Sequence, residues 1–272
     1  MNVSKTVTII FSACLLLSSW LVSAAESTET KIEWQVDLGL TVNYNRHFIE
    51  GLTERDDSFG LSPFVSGGVY YGKFYAEASP NTLHPLTFGY VLHDSDSHQF
   101  NLVAESWFFE ISEENQSEDS SNLDGIITRK ASFEAGVEYI STNHKYDFRV
   151  RLLHDALGRH NGTVATIEMA RPIYTETTLW LPALSIAFVS SNAVDYYYGV
   201  HASEVRVGRP EYTAGSAYIT AAQLYVERPF GERWSIIGFA GIALPSRNIT
   251  ESPLVTPRSN GFNVGVGAIW TF

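Results

Sequence analysis

The segment LHDALGRHNG (153–162) holds the densest grouping of acid–base side chains in the sequence, with His154, Asp155 and His160 close together. Hydrolysis through such a group needs a nucleophile beside a histidine and a third residue to orient the ring. The segment contains no serine, and no G-x-S-x-G occurs in the chain. Its two glycines and Asn161 instead fit a tight polar loop. HDSDSH (93–98) reads as an exposed turn rather than a metal site. SEDSSNLDG (117–125) sets Ser120, Asn122 and Asp124 at alternating positions before Gly125, as a calcium loop would. Serine stands where the first aspartate belongs and Ala131 where the closing glutamate belongs, which excludes an EF-hand. A solvated acidic loop is the expectation, with a looser calcium site at Glu113, Glu114, Glu118 and Asp119 as the alternative. No catalytic, cofactor or metal residues are assigned.

Charges that could act on one another lie in the middle of the chain, provided their segments are strands. In KASFEAGVEYI, outward Phe133, Val137 and Tyr139 send Glu134 and Glu138 to the other face. In YDFRVRLL, outward Phe148, Val150 and Leu152 send Asp147, Arg149 and Arg151 inward, and in GTVATIEMA, Ile167 and Met169 send Glu168 inward. A turn centred near 143 sets Glu138 opposite Arg149, and a loop centred near 159 sets Glu168 opposite Arg151. These spacings predict cross-strand ion pairs on one inner face. Such pairs neutralise charge and partly block a lumen; the alternative is an ion-selecting constriction.

The strands that must carry these residues have a period of two. EWQVDLGLTVNYN (33–45) alternates Trp34, Val36, Leu38, Leu40, Val42 and Tyr44 with polar or small residues. Comparable runs follow near 60–70, 73–79, 86–93, 98–109, 126–140, 146–156, 162–172, 177–190, 216–228, 233–245 and 260–272, making twelve. Short connections near 71–72, 94–97, 141–145, 173–176 and 229–232 alternate with long ones at 46–59, 110–125, 191–215 and 246–259. Two further connections, 80–85 and 157–161, are short on the long-loop side. Short inner turns and long outer loops are the membrane-barrel pattern, which a soluble sandwich has no reason to follow. The expected fold is all-β: a closed antiparallel up-and-down transmembrane barrel of about twelve strands.

The chain opens with Lys5, an apolar run through Val22 and the small residues SAA, a secretory signal peptide expected to be cleaved after residue 24 or 25. Residues 26–272 then form one domain with 17 basic and 30 acidic residues, a net charge of −13, which argues against nucleic acid as a partner. Cys14 is the lone cysteine and lies in the leader, so no disulfide is expected in the mature protein. No later stretch reaches the roughly 18 apolar residues of a membrane helix, a test that barrel strands escape because their two faces cancel. The final strand ends on Trp270 and Phe272, placing aromatics at the inner interface.

The segment DYYYGVHASEVRVGRPEYTAGSAY (195–218) reads as a long loop with five tyrosines, suited to an interfacial belt, to packing over a barrel mouth or to a contact surface. Tyr197-Tyr198-Gly199-Val200, then Ala202-Ser203-Glu204, then Pro210-Glu211-Tyr212, followed downstream by Ser252-Pro253-Leu254-Val255, resemble the MipA/OmpV family of Gram-negative outer-membrane proteins. LSPFVSGGVYYGKFYAEA, LTFGYVL and HDALGRHNG are similar to further family segments, so the likeness spans nearly all of the mature chain. The terminal Phe272 after alternating residues also resembles the signal read by outer-membrane assembly machinery.

This resemblance implies an outer-membrane barrel in contact with lipid and lipopolysaccharide. For the best-known members it implies a scaffold for peptidoglycan (murein) synthesis that bridges a lytic transglycosylase and a penicillin-binding protein. No catalytic residues accompany that role. The rival expectations are a narrow channel for small solutes and a surface adhesin or receptor.

Overall fold

The computed structural model describes residues 31–49, 51–52, 58–78, 86–116, 120–255 and 260–272; the expected signal peptide and its cleavage site lie outside the described residues. Twelve strands make the wall: β1 (Ile32–Arg46), β2 (Ser58–Tyr71), β3 (Phe74–Ala78), β4 (Leu86–Asp94), β5 (His98–Phe108), β6 (Ser132–Thr142), β7 (Asp147–Asp155), β8 (Thr163–Ala170), β10 (Leu179–Val189), β11 (Ala217–Pro229), β12 (Trp234–Pro245) and β13 (Gly261–Thr271). A two-residue strand, β9 (Ile173–Tyr174), pairs with the start of β10. Each of the twelve pairs antiparallel with its neighbours, and β13 pairs with β1 from Asp37↔Thr271 to Arg46↔Phe262. The protein is therefore a closed twelve-stranded barrel. Closure leaves no edge, as a bilayer requires, because it offers no water to an unpaired N–H or C=O.

Alternation divides every strand between two solvents. On β1, Leu40 and Val42 are more than half exposed, whereas Asp37 and Thr41, pointing the other way, are buried. In β13, Val264 and Val266 face outward while Ile269, the apolar residue out of phase, is fully buried in the lumen. It packs there with Phe64 and Ile237, and Tyr225 leans on the same cluster. At the turn end, Trp234 meets Trp270 edge-on with ring centroids 5.1 Å apart, and Phe272 stands 6.4 Å from Trp270. The Phe272 backbone N–H donates to Val36 O at 3.0 Å, so the chain terminus is bonded to the first strand.

Two expected boundaries differ. The sixth strand begins at Ser132 rather than 126, because Ile126 is buried in the loop layer and Arg129 is drawn to Glu204. The tyrosine segment is not all loop: Ser191–Tyr198 is a helix, α1, with Ala193, Val194, Tyr197 and Tyr198 buried along one stripe. A short α2 (Arg247–Thr250) follows β12.

Large rings cross the lumen where a neighbour has no side chain. Tyr75 pairs in register with Gly89, and a Cβ on Gly89 would fall on the Tyr75 ring. The ring thereby passes over β4 and its hydroxyl reaches Glu138 Oε1 at 3.3 Å. Gly89→Leu should expel this ring and destabilise the barrel by about 1–3 kcal/mol, the usual cost of overpacking. Urea unfolding in lipid vesicles measures it; unchanged stability would show that the ring has other room.

Candidate functional site

Three neighbouring strands bring their charges together inside the barrel. Arg151 on β7 donates from Nε to Glu138 Oε2 on β6 at 2.7 Å, and its Nη1 lies 3.2 Å from Glu105 Oε2 on β5. Arg149 Nε lies 3.2 Å from the same Glu138 oxygen. Asn101 Nδ2 donates to Glu138 Oε1 at 2.9 Å, and Thr87 and the Trp107 indole donate to Glu105. The partners differ from the expected ones by one step: Glu138 stands opposite Arg151, and Glu168 opposite Arg149. The β6–β7 turn closes over Asn143–Tyr146, with Asn143 Oδ1 accepting from the N–H groups of Lys145 and Tyr146. The observed pairs centre that turn one residue later than the expected pair Glu138–Arg149 does, and the β7–β8 loop one residue earlier than the expected pair Arg151–Glu168 does. Each displacement moves a partner by two positions, which preserves the face and changes only the pairing.

Glu134 has a different role. Its Oε2 accepts the Trp107 backbone N–H at 3.0 Å and its Oε1 the His160 Nε2 at 3.0 Å. His160 Nδ1 accepts the Gly162 N–H at 2.9 Å, a network that fits the neutral ring with its proton on Nε2. Asp155 Oδ2 accepts the backbone N–H groups of His160 and Asn161, and Oδ1 accepts those of Leu157 and the Ser132 hydroxyl. His154 points outward to Thr163 Oγ1, away from both. The three acid–base residues are thus separated, and Asp155 and His160 are occupied in holding the corner.

Above this level the loops build a dry core of their own. Phe48, Ile49 and Leu52 from the β1–β2 connection meet Ile111, Leu123 and Ile126 from β5–β6; α1 and Val200 join them, as do Ile249, Leu254 and Val255 from β12–β13. The Tyr197 ring stacks on Phe108 with centroids 4.2 Å apart and its hydroxyl donates to Lys130 O. Burial, and then the nearby Glu134 carboxylate, push its pKa up. Ser252 Oγ donates to Tyr198 O at 2.6 Å, while Val200 bridges Tyr212, whose hydroxyl donates to Asn248 O. Pro253 is half-buried beside them, and Pro210 is exposed after the Arg206–Arg209 turn. The tyrosine-rich and Ser252–Val255 segments of the family resemblance therefore form one cap over the barrel mouth, while LSPFVSGGVYYGKFYAEA and LTFGYVL lie in the wall strands β2, β3 and β4.

One buried pair ties the cap together. Arg129 Nη2 donates to Glu204 Oε2 at 2.8 Å, both side chains at most 2% exposed, and also to Gly199 O. Glu204 takes two further bonds from the backbone N–H groups of Ile127 and His201. Burial alone would raise the Glu204 carboxyl; Arg129 and those backbone donors outweigh it and hold it below the usual range. Arg209 donates to the carbonyls of Asn122, Asp124 and Glu204, and Arg206 to those of Ser121 and Asp124. In the acidic loop, Asp124 accepts from Gln116 and pairs with Arg206, and Glu113 accepts the Gly125 N–H; Glu118 and Asp119 lie outside the described residues.

Between cap and wall, in the outer half of the lumen, lies a cavity of about 790 Å³. Asn43 and Asn45 of β1, Ser62 of β2, Gln223 of β11 and Asn263 of β13 line one side. Trp107, Phe108 and Phe109 line the other, and Phe64 belongs both to the cavity and to the apolar cluster beneath it.

Arg151→Ala should leave Glu138 and Glu105 short of counter-charge and cost about 3–5 kcal/mol in urea unfolding, whereas adding Glu138→Gln should recover part of the loss; additive effects would deny the coupling. Because the Glu204 carboxyl is depressed in the folded state, its contribution is present above about pH 4.3 and fades as pH falls through the folded pKa. The acid limb of stability should accordingly flatten in Glu204→Gln, and an unaltered limb would assign it to other groups.

The model of the family described as "MltA-interacting protein MipA" matches residues 27–272. The chain is similar to the putative outer membrane protein YiaT of Escherichia coli, at 24% identity over 88% of this chain and 91% of the relative. It is similar to the MltA-interacting protein of E. coli at 28% over 53% of this chain and 58% of the relative, and to OmpV of Vibrio cholerae at 24% over 57% and 60%. Among solved structures, OmpT of V. cholerae covers 91% of this chain and is itself covered over 99%, at 10% identity and a TM-score of 0.42. With the match running over the whole barrel and the relatives being outer-membrane proteins, the chain belongs to the MipA family and is a β-barrel of the Gram-negative outer membrane.

Proposed function

We propose that this chain is a non-conducting barrel that serves as an envelope scaffold, holding a lytic transglycosylase and a penicillin-binding protein of peptidoglycan synthesis at the outer membrane. The observation that carries the reading is the burial of the polar cluster on β5, β6 and β7 inside the lumen. In an open pore the lumen-facing polar side chains stay wet, yet Asn101, Glu105, Glu134, Glu138 and Arg151 are 0–5% exposed. Their charges are spent on one another rather than on a passing ion. Across the lumen from them, the Phe64–Ile237–Ile269 cluster adds an apolar floor.

The partner class is supported by the family and by the name of the E. coli relative, an MltA-interacting protein. Among the described residues, the barrel offers short turns on the periplasmic side, near 72–73, 95–97, 143–146, 171–178 and 230–233. A stable interface hides roughly 800 Å² on each partner, so a docked enzyme must seat on several turns at once.

The purified protein should leave planar bilayers insulating, and mild-detergent extracts should co-purify both peptidoglycan enzymes. Charge reversal on two adjacent turns, Lys145→Glu with Arg171→Glu, should weaken that capture about tenfold or more. Stepwise conductance would favour the channel instead, and clean preparations that retain neither enzyme would overturn the scaffold.

A further inference from the structure

The lumen is chemically two-sided. The β5–β7 side holds the arginine–glutamate cluster, while the wall of the cavity from β11 to β2 carries neutral amides and hydroxyls, with the buried Asp37 and Glu227 lying below it toward the turn end. The strand registers place three of the amides in one row: Asn45 pairs with Asn263, Asn263 with Gly241, and Gly241 with Gln223. A Cβ on Gly241 would collide with the Asn263 carboxamide, so the row has room for its amides because that position is bare. One level deeper, Asn43 pairs with Gly265 and Gly265 with Phe239, whose ring tip reaches over that glycine. Ser62 Oγ donates to Asn43 Oδ1 at 3.2 Å, so the Asn43 carbonyl is already engaged by the wall.

The side chains of Asn45, Gln223 and Asn263 make no hydrogen bond to the protein among the described residues, although each is half-buried. A carboxamide presents a donor and an acceptor in one plane, so a row of them matches a ligand whose own groups both donate and accept. Hydroxyls do this. Aromatic residues complete the cavity, with Phe239 on the amide side and Trp107 and Phe109 opposite, and offer flat faces to an apolar C–H surface. Alternating hydroxyl edges and C–H faces describe a sugar ring.

Charge selects further. The amide row itself carries no ionised side chain; the ionisable residues elsewhere in the lining include Arg46, which donates to Asn260 Oδ1 at 2.5 Å, His47 and Glu110. A charged group seated on the amide row would lose its hydration without a counter-charge in the row itself. The volume lies inside the roughly 300–1,000 Å³ of small-molecule sites.

We propose that this cavity is a binding site for a neutral saccharide of one or two rings, held by the Asn45–Asn263–Gln223 amide row and by aromatic contact from Phe239 and Trp107. This site is independent of the scaffold reading, since it faces the outer half of the lumen and the proposed enzymes dock at the turns.

The test is titration calorimetry of the full-length mature barrel in a zwitterionic, sugar-free detergent. The probes are glucose, N-acetylglucosamine, maltose and N,N′-diacetylchitobiose, with glucose 6-phosphate and galacturonate as charged controls. At least one neutral sugar should saturate at one site with a Kd of about 1 mM or tighter. Gln223→Leu and Asn263→Leu should each weaken it about tenfold or more while keeping the heat-modifiable gel mobility of a folded barrel. If either variant fails to fold, Asn45→Leu supplies the same comparison. No saturable binding of any neutral sugar, equal binding of the charged controls, or full affinity in the folded amide variants would each overturn the site.

Discussion

The hydrogen bonds that join the last strand to the first are the constraint from which the rest of this molecule follows. A bilayer cannot solvate a free sheet edge, so β13 must run the length of β1 from Asp37 to Arg46. Once that seam is closed, alternate side chains have no choice but lipid or lumen. The lipid face is filled by residues such as Leu40, Val42 and Val266, and polar residues such as Asp37, Asn101, Glu105 and Glu138 are directed into a lumen that buries them.

The interior meets that difficulty in two ways. On the β5–β7 side, Glu105, Glu138, Arg149 and Arg151 share their charges in a single cluster, with Asn101, Thr87 and Trp107 supplying the remaining hydrogen bonds. Taking these groups from water is costly, and pairing among opposite charges offsets much of that cost, although Arg149 Nε and Asn101 Oδ1 are left without a hydrogen-bond partner among the described residues. On the opposite side, at the level of the cavity, the strands carry amides, hydroxyls and glycines, whose burial costs far less than that of a charge, and the buried Asp37 below them is met by the Ser66 and Thr271 hydroxyls. The cavity lies on the side where partial hydration is tolerable, and the packed cluster on the side where it is not.

The alternation on β1 and β13 was plain in the residues, because a period of two survives any error in where a strand begins. Facing directions for Glu134, Glu138, Arg149, Arg151 and Glu168 followed from it. Pairing did not, since it depends on the turn centre, and Asn143 closes its turn one residue later than the spacing indicated. Glu105 was legible in HQFNLVAESW, where Gln99, Asn101 and Glu105 share a face, but its approach to Arg151 needs a register that composition does not carry. The helix stripe Ala193, Val194, Tyr197 and Tyr198 was also present in the residues, hidden by the tyrosines' fitness for loops. The cap core was less accessible: Ile111, Leu123 and Leu254 stand in short loop segments with no strand or helix period, and only tertiary contact reveals them as one cluster.

The bridge between Ile49 and Val255 links the connection after the first strand to the connection before the last. Their contact spans almost the entire barrel sequence, which makes it among the slowest to form in any folding order that proceeds by local hairpins. It cannot appear until the two ends of the sheet have met, and it then adds apolar packing from Phe48, Ile49, Leu254 and Val255 directly above the seam. The cap therefore acts as a clasp: it records that the cylinder has closed, and it resists lateral unzipping at the one joint where the two ends of the sheet come together.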